Sequence, residues 1–205
     1  MTAQIDLDYP FTGRWLVQNS PANRVPSHGT TLFASSHAVD FVPVGNSGRR
    51  APLTWNTWRG REPAAAFPGF GRRVLAPCGG RVIAVEHAIP DHQAHRALAS
   101  VGYALGQRAR VRAGWPGLAG NHVMIEHDGI IVALCHLMHD SVKVEVGQHL
   151  APGQPVGRCG NTGNSTEPHL HLHLRAMDGP QPGRAAPVPI TFHGQLPHNR
   201  QILDL

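Results

Sequence analysis

From Val74 onward, apolar and polar positions alternate in short runs separated by turn residues, the pattern of strands with one buried face. Val74–Pro77 and Arg81–His87 flank Cys78-Gly79-Gly80. Asn121–His127 and Ile130–His136 flank Asp128-Gly129, a strong hairpin signal. Val142–Val146, Gln154–Cys159 and His169–Arg175 complete the series, and His37–Val44 reads as a strand upstream. One segment departs from period two. Ala94, Ala97, Leu98, Val101, Leu105 and Ala109 recur at helical spacing behind Pro90-Asp91, which predicts a helix over 91–110, closed off by Gly114 to Gly120. Residues 1–27 read as an arm in which Trp15, Leu16 and Val17 could add one strand before Asn19, Pro21 and Pro26 interrupt it. Residues 45–73, rich in Gly, Pro and Arg and carrying Trp55 and Trp58, read as a long irregular loop. A lid, an activation element and mere decoration remain open for it. The pattern predicts a mainly β protein: a twisted antiparallel sheet with one inserted helix and long loops.

Composition narrows the function classes. With 205 residues, 41% of them hydrophobic, the chain can bury a core as one domain. Its 23 glycines and 18 prolines argue against a helical bundle. The net charge of +5 is nearly all arginine, Lys143 being the one lysine, and no basic run accompanies it, so nucleic acid is not an expected partner. No apolar stretch has the length of a membrane span. Cys78, Cys135 and Cys159 are odd in number and widely spaced, which favours neither a disulfide framework nor a cysteine zinc site. Histidine is the outlier at 15 residues, and imidazole is both the usual metal ligand and the usual acid/base at neutral pH.

The histidines concentrate in Pro168-His169-Leu170-His171-Leu172-His173-Leu174. On a strand this puts three leucines on one face and three histidines on the other. The leucines are core. The histidine face is either solvated or a site, and two histidines two apart on a strand can converge on one zinc or set one on the metal and one beside it. His136, at the end of Ile130–His136, shares its alternation with Val132 and Leu134, and is a candidate partner. Asp40 is an acid inside an apolar strand, where a carboxylate needs a metal or an arginine to offset its burial.

At these residues the chain resembles the lysostaphin-like zinc endopeptidases that cut peptidoglycan cross-bridges or stem peptides. The resemblance runs from about His28 to Arg175. Its most specific part, Gly157-Arg158-Cys159-Gly160-Asn161-Thr162-Gly163-Asn164-Ser165-Thr166-Glu167-Pro168-His169-Leu170-His171, is similar to the family's Gly-x-x-Gly-x-Ser/Thr-Gly-x-Ser-x-x-Pro-His-Leu/Val-His. Leu75 to Val82, Gly120 to His127 and Leu134-Cys135-His136-Leu137 resemble three further blocks in the family's order. The resemblance implies a duplicated hybrid-motif sheet and one zinc ion per chain. It implies Asp40 and His171 as ligands and His136 and His169 as the catalytic acid/base pair. The family's first ligand, a histidine four residues before the aspartate, is missing: Ser36 stands there. His28, brought back through Gly29, is the favoured substitute, with His37 as the alternative; in a strand His37 points away from Asp40.

The implied organisation is an arm over 1–27, a zinc metallopeptidase domain over 28–192 with a helical insertion at 91–120, and a tail over 193–205. Asn161, Asn164 and Ser165, just before the His-x-His strand, are candidates for lining a peptide groove. Glu86 and Glu126 could orient a ligand imidazole, and His173 stands where the family often has glutamate, as an exposed rim residue. The expected substrate is a peptide, with peptidoglycan implied by the family. Met1–Pro10 lacks the features of a secretory signal, so the sequence alone points to the cytoplasm, or to the cell envelope by an unrecognised route. A catalytically silent relative that binds a peptide or partner is the rival function. A cupin-type site is a weaker rival, because no glutamate follows His171.

Overall fold

The computed structural model describes residues 4–51, 61–95, 106, 111–112, 114–177 and 185–205. In chain order its strands are β1 (Ile5–Leu7), β2 (Arg14–Gln18), β3 (Val39–Pro43), β4 (Arg61–Glu62), β5 (Arg73–Leu75), β6 (Gly80–Glu86), β7 (Ala94–His95), β8 (Asn121–His127), β9 (Ile130–Leu137), β10 (His149–Leu150), β11 (Pro155–Arg158), β12 (Leu170–Ala176), β13 (Pro187–Val188), β14 (Ile190–Phe192) and β15 (Ile202–Asp204). A short helix, α1, spans Gly114–Ala119, and a 3-10 segment spans Leu32–His37.

Nine strands form one antiparallel sheet in the order β10-β6-β8-β9-β12-β3-β2-β15, with β13 added to the far end of β12. The mainly β, antiparallel architecture expected from the alternation is therefore what the chain adopts. The hairpin at Asp128-Gly129 is present, with both residues in the left-handed region. On β12, Leu170, Leu172 and Leu174 are fully buried, and they pack in one cluster with Val39, Phe41, Val132, Leu134, Val123, Ile125, Trp15 and Val17. Burying each such leucine contributes about 1.5–3 kcal/mol. The opposite face carries a smaller apolar cluster, Met124, Ile131, Ala133 and Cys135, over which α1 lays Ala119 and Trp115.

Several elements differ from the sequence expectation. The described start of the predicted 91–110 helix is not helical: residues 91–93 are irregular and Ala94–His95 pairs with Arg61–Glu62 as a strand. Tertiary pairing has overridden the helical periodicity there, and the rest of that helix lies largely outside the described residues, as do Trp55 and Trp58. Val142–Val146 is not a strand either. Its Lys143 N–H reaches Val156 O, but the segment runs straight into the turn at Val146-Gly147, closed by Gln148 N–H donating to Glu145 O. Both ends of the chain join the sheet: β2 is flanked by β3 and β15, and Trp15 is fully buried.

Candidate metal centre

The sheet register builds the site. On the face opposite the leucines, Gln18, Asp40, His171, Cys135, His122 and Glu86 form one cross-strand row over β2, β3, β12, β9, β8 and β6. Asp40 and His171 are direct partners, and His171 Nδ1 lies 2.8 Å from Asp40 Oδ1. His28 arrives from the loop ahead of β3, with its Nε2 3.0 Å from Asp40 Oδ2 and its Nδ1 3.0 Å from Ser27 Oγ. Asn19 Nδ2 donates to the same Asp40 Oδ2 at 2.7 Å. His28, Asp40 and His171 each offer a donor atom, all within 4.8 Å of one another. His37 is not part of this cluster.

The donor set fits a divalent cation. Two imidazole nitrogens and one carboxylate oxygen are the donors zinc takes, and three protein donors leave a fourth position open. Asp40 is 5% exposed, and among the described residues its ion-pair partners are three histidines, with neither arginine nor lysine. Burial by itself would raise its pKa, yet the charges of His28 and His169 and hydrogen bonds from His171 and His28 hold it well below the ordinary carboxylate value. His28 is raised, Asp40 outweighing the opposing effect of burial. His171 is lowered by burial, in spite of Asp40. The carboxylate thus stays ionised where it meets the two rings.

Two further histidines face the cluster. His169 Nε2 lies 3.8 Å from Asp40 Oδ1. On its other side, Nδ1 lies 2.8 Å from Glu167 O and 3.0 Å from Ser165 Oγ. A carbonyl only accepts, so Nδ1 carries the proton and Nε2 presents its lone pair to the site. His136 is held the same way, Nδ1–H donating to Thr162 O at 2.9 Å. Its ring centroid is 4.7 Å from that of His169 and 5.7 Å from that of His171. Burial, then the neighbouring His169 and His171, push the His136 pKa far down.

Simple alternation places His136 on the wrong face, alongside Val132 and Leu134 in the core. A bulge corrects this. His122 pairs with Cys135 but Asn121 pairs with Leu137, so His136 is the extra residue, and its φ of 63° turns the side chain to the site face. A non-glycine residue in the left-handed region carries backbone strain of order 1–3 kcal/mol, held here by the surrounding pairing.

Of the three residues expected to line a groove, Asn164 lines the cavity above the cluster. Asn161 and Ser165 do not meet solvent at all, and that expectation is corrected. Both brace the loop: Asn161 Nδ2 donates to His92 O at 2.9 Å, and Ser165 Oγ lies against Asn161 Oδ1, Glu167 O and His169 Nδ1. Glu86 caps the backbone N–H groups of His87 and Ala88, and Glu126 accepts from Gly129, so neither orients a ligand ring. His173 is not a rim residue but fully buried, 5.0 Å from the Trp115 ring. Neither of its nitrogens has a hydrogen-bond partner among the described residues, and burial drives its pKa far down. Its alternation with His171 was the signal for its face; what covers that face, α1 and Trp115, was not legible.

Residues 103–182 match the model of Peptidase family M23. Over that stretch, about two fifths of its length, the chain is similar to Peptidase family M23. The matched M23 segment includes His136, His169 and His171, while His28 and Asp40 lie ahead of it. Peptidoglycan DD-endopeptidase ShyA of Vibrio cholerae is 36% identical over 73 residues, which is 36% of this chain and 17% of that protein. Lysostaphin of Staphylococcus simulans is 42% identical over 65 residues, 30% of this chain and 13% of that protein. The chain spans only a small part of the curated relatives it matches. Among solved structures, the catalytic domain of the antimicrobial peptidase lysostaphin from Staphylococcus simulans gives a TM-score of 0.40 at 18% identity, over 85% of this chain and 83% of that one. The M23 metalloprotease pseudoalterin gives 0.43 at 13% identity, over 92% and 76%.

Proposed function

We propose that this chain is a zinc-dependent endopeptidase that hydrolyses peptide bonds, with peptidoglycan peptides as its substrates. The observation that carries the reading is the convergence of His28, Asp40 and His171 beside two histidines whose outer nitrogens are already engaged. His28, Asp40 and His171 would hold the ion. Zinc bound there supplies a Lewis acid that polarises the scissile carbonyl and eases deprotonation of water. His169, its proton fixed on Nδ1 by Glu167 O, offers Nε2 as the base that takes the proton of the attacking water. His136, anchored through Nδ1 to Thr162 O, presents its Nε2 lone pair beside His169, where it accepts a hydrogen bond that orients the attacking water, and the proton gathered on His169 Nε2 passes on to the departing amine. The relatives named as peptidoglycan endopeptidases support the substrate class.

The test is a panel of glycine-rich and stem-type peptides incubated with zinc-loaded protein and with His169→Ala. Cleavage by the first, and about 100-fold or more loss in the second at unchanged zinc content, is the expected outcome. Binding of the peptides without cleavage by the zinc-loaded protein would establish the rival reading, a silent binding module.

A further inference from the structure

The cavity over the cluster has a wall that this chemistry does not use. We infer that Leu32, Phe33, Trp115 and Leu118 form a subsite for an apolar side chain flanking the scissile bond. The preferred substrate is then a peptide with an apolar side chain at that one place, the alanine of a stem-type peptide included, rather than glycine or a side-chain carboxylate there. The inference rests on the peptidase reading above and names its substrate class.

The cavity is about 360 Å³, within the size range of small-ligand clefts, and its lining is mostly apolar. Four features of the lining point the same way. Leu32 is 50% exposed at the cleft, a large apolar surface left in water that an apolar occupant would cover. Phe33 and the following Ala34 both sit in the left-handed region, at φ 54° and 62°. Two consecutive non-glycine residues there carry strain that persists only where the surroundings impose it, and such strain clusters at ligand-clamping segments. Phe33 faces Trp115 with ring centroids 6.3 Å apart, so the segment ahead of β3 and helix α1 bring one aromatic each to the same cavity. Finally, apart from Asp40, the imidazoles and the buried Cys135 thiol, the described lining residues carry no ionisable side chain; their other polar positions are Asn19, Thr30, Ser35, Asn164 and Thr166. A carboxylate against Leu32, Phe33, Trp115 and Leu118 would lose water with no cation among those four side chains, whereas a glycine would leave the wall wet.

The experiment uses zinc-loaded full chain and a set of peptides identical except for Leu, Gly or Glu on either side of the cleaved bond. Turnover is read as kcat/KM, and binding by calorimetry on His169→Ala. The Leu peptide is expected to exceed the Gly peptide by about 10-fold or more on one side of the bond, with Glu the poorest. Leu32→Ser and Trp115→Ala are each expected to shrink the Leu/Gly ratio by about 5-fold with zinc content unchanged. Leu32 is half exposed, so its replacement tests the subsite without a folding defect. Equal kcat/KM for Leu, Gly and Glu peptides, or a ratio unmoved by Leu32→Ser, would overturn the inference. Preferential binding of the Leu peptide without any cleavage would uphold the subsite and sink the peptidase reading.

Discussion

At the scale of single residues, the site depends on which nitrogen of each ring is already used. Glu167 O and Ser165 Oγ occupy Nδ1 of His169, and Thr162 O occupies Nδ1 of His136. Ser165→Ala removes one of the two partners of His169 and leaves the carbonyl. It is expected to lower kcat by several-fold while zinc content holds, because the ring loses orientation and not its base. Rescue by Ser165→Thr would mark positioning by the hydroxyl; loss of zinc in Ser165→Ala would instead place the residue under the metal. Asp40, His171, His169 and His136 were legible in the sequence, three of them through the His-x-His spacing and the His-Leu block. The facing of His136 was not, because a bulge has no period and shows only as a broken register. Nor was the buried state of Asn161 and Ser165, since small polar residues before a strand read equally as groove or brace.

At the scale of elements, the loop between β11 and β12 sets both histidines, and its shape depends on Gly163. Its φ is 69°, and a Cβ there would lie 2.4 Å from Gly120 N and 2.6 Å from Leu118 O. Both neighbours are backbone, so relief requires moving α1 or the loop. Gly163→Ala is expected to cost about 2–4 kcal/mol in urea unfolding and to lower turnover together with stability. An unchanged midpoint would show that the close approach of loop and helix is not needed. On the leucine face, Leu172→Ala is expected to cost about 2–5 kcal/mol, the usual range for emptying a fully buried site. The long strands β6, β8, β9 and β12 were readable because period two and an Asp-Gly turn mark them. The two-residue strands β4, β7, β10 and β13 were not, since pairs so short have no period and exist only through their partners. Ala94–His95 was misread as helix for that reason.

At the scale of the whole molecule, the metal-free protein carries several buried imidazoles that burial holds neutral. His122, His136, His171 and His173 are all lowered, as is the half-buried His37, burial being the first cause in each. A histidine with a depressed folded pKa contributes stability that is present above the unfolded value of about 6.5 and is lost as pH falls toward the folded value. His28, raised by Asp40, works in the opposite sense, its contribution being lost as pH rises through its folded value. Five against one predicts that the thermal midpoint of chelator-treated protein falls as pH drops from about 7 to about 5. Asp40 adds to acid sensitivity lower down, because its depressed pKa contributes stability that disappears below about pH 4. A midpoint that is flat or rises between pH 7 and 5 would mean that these imidazoles reach solvent.

The metal site turns on His28, twelve positions ahead of Asp40, supplying the donor that the usual spacing leaves open at Ser36. Zinc per chain, measured by elemental mass spectrometry on wild-type protein, His28→Ala and His37→Ala purified side by side, decides it. One zinc in the wild type, one in His37→Ala and little or none in His28→Ala is the predicted result. A full zinc complement in His28→Ala would contradict the site.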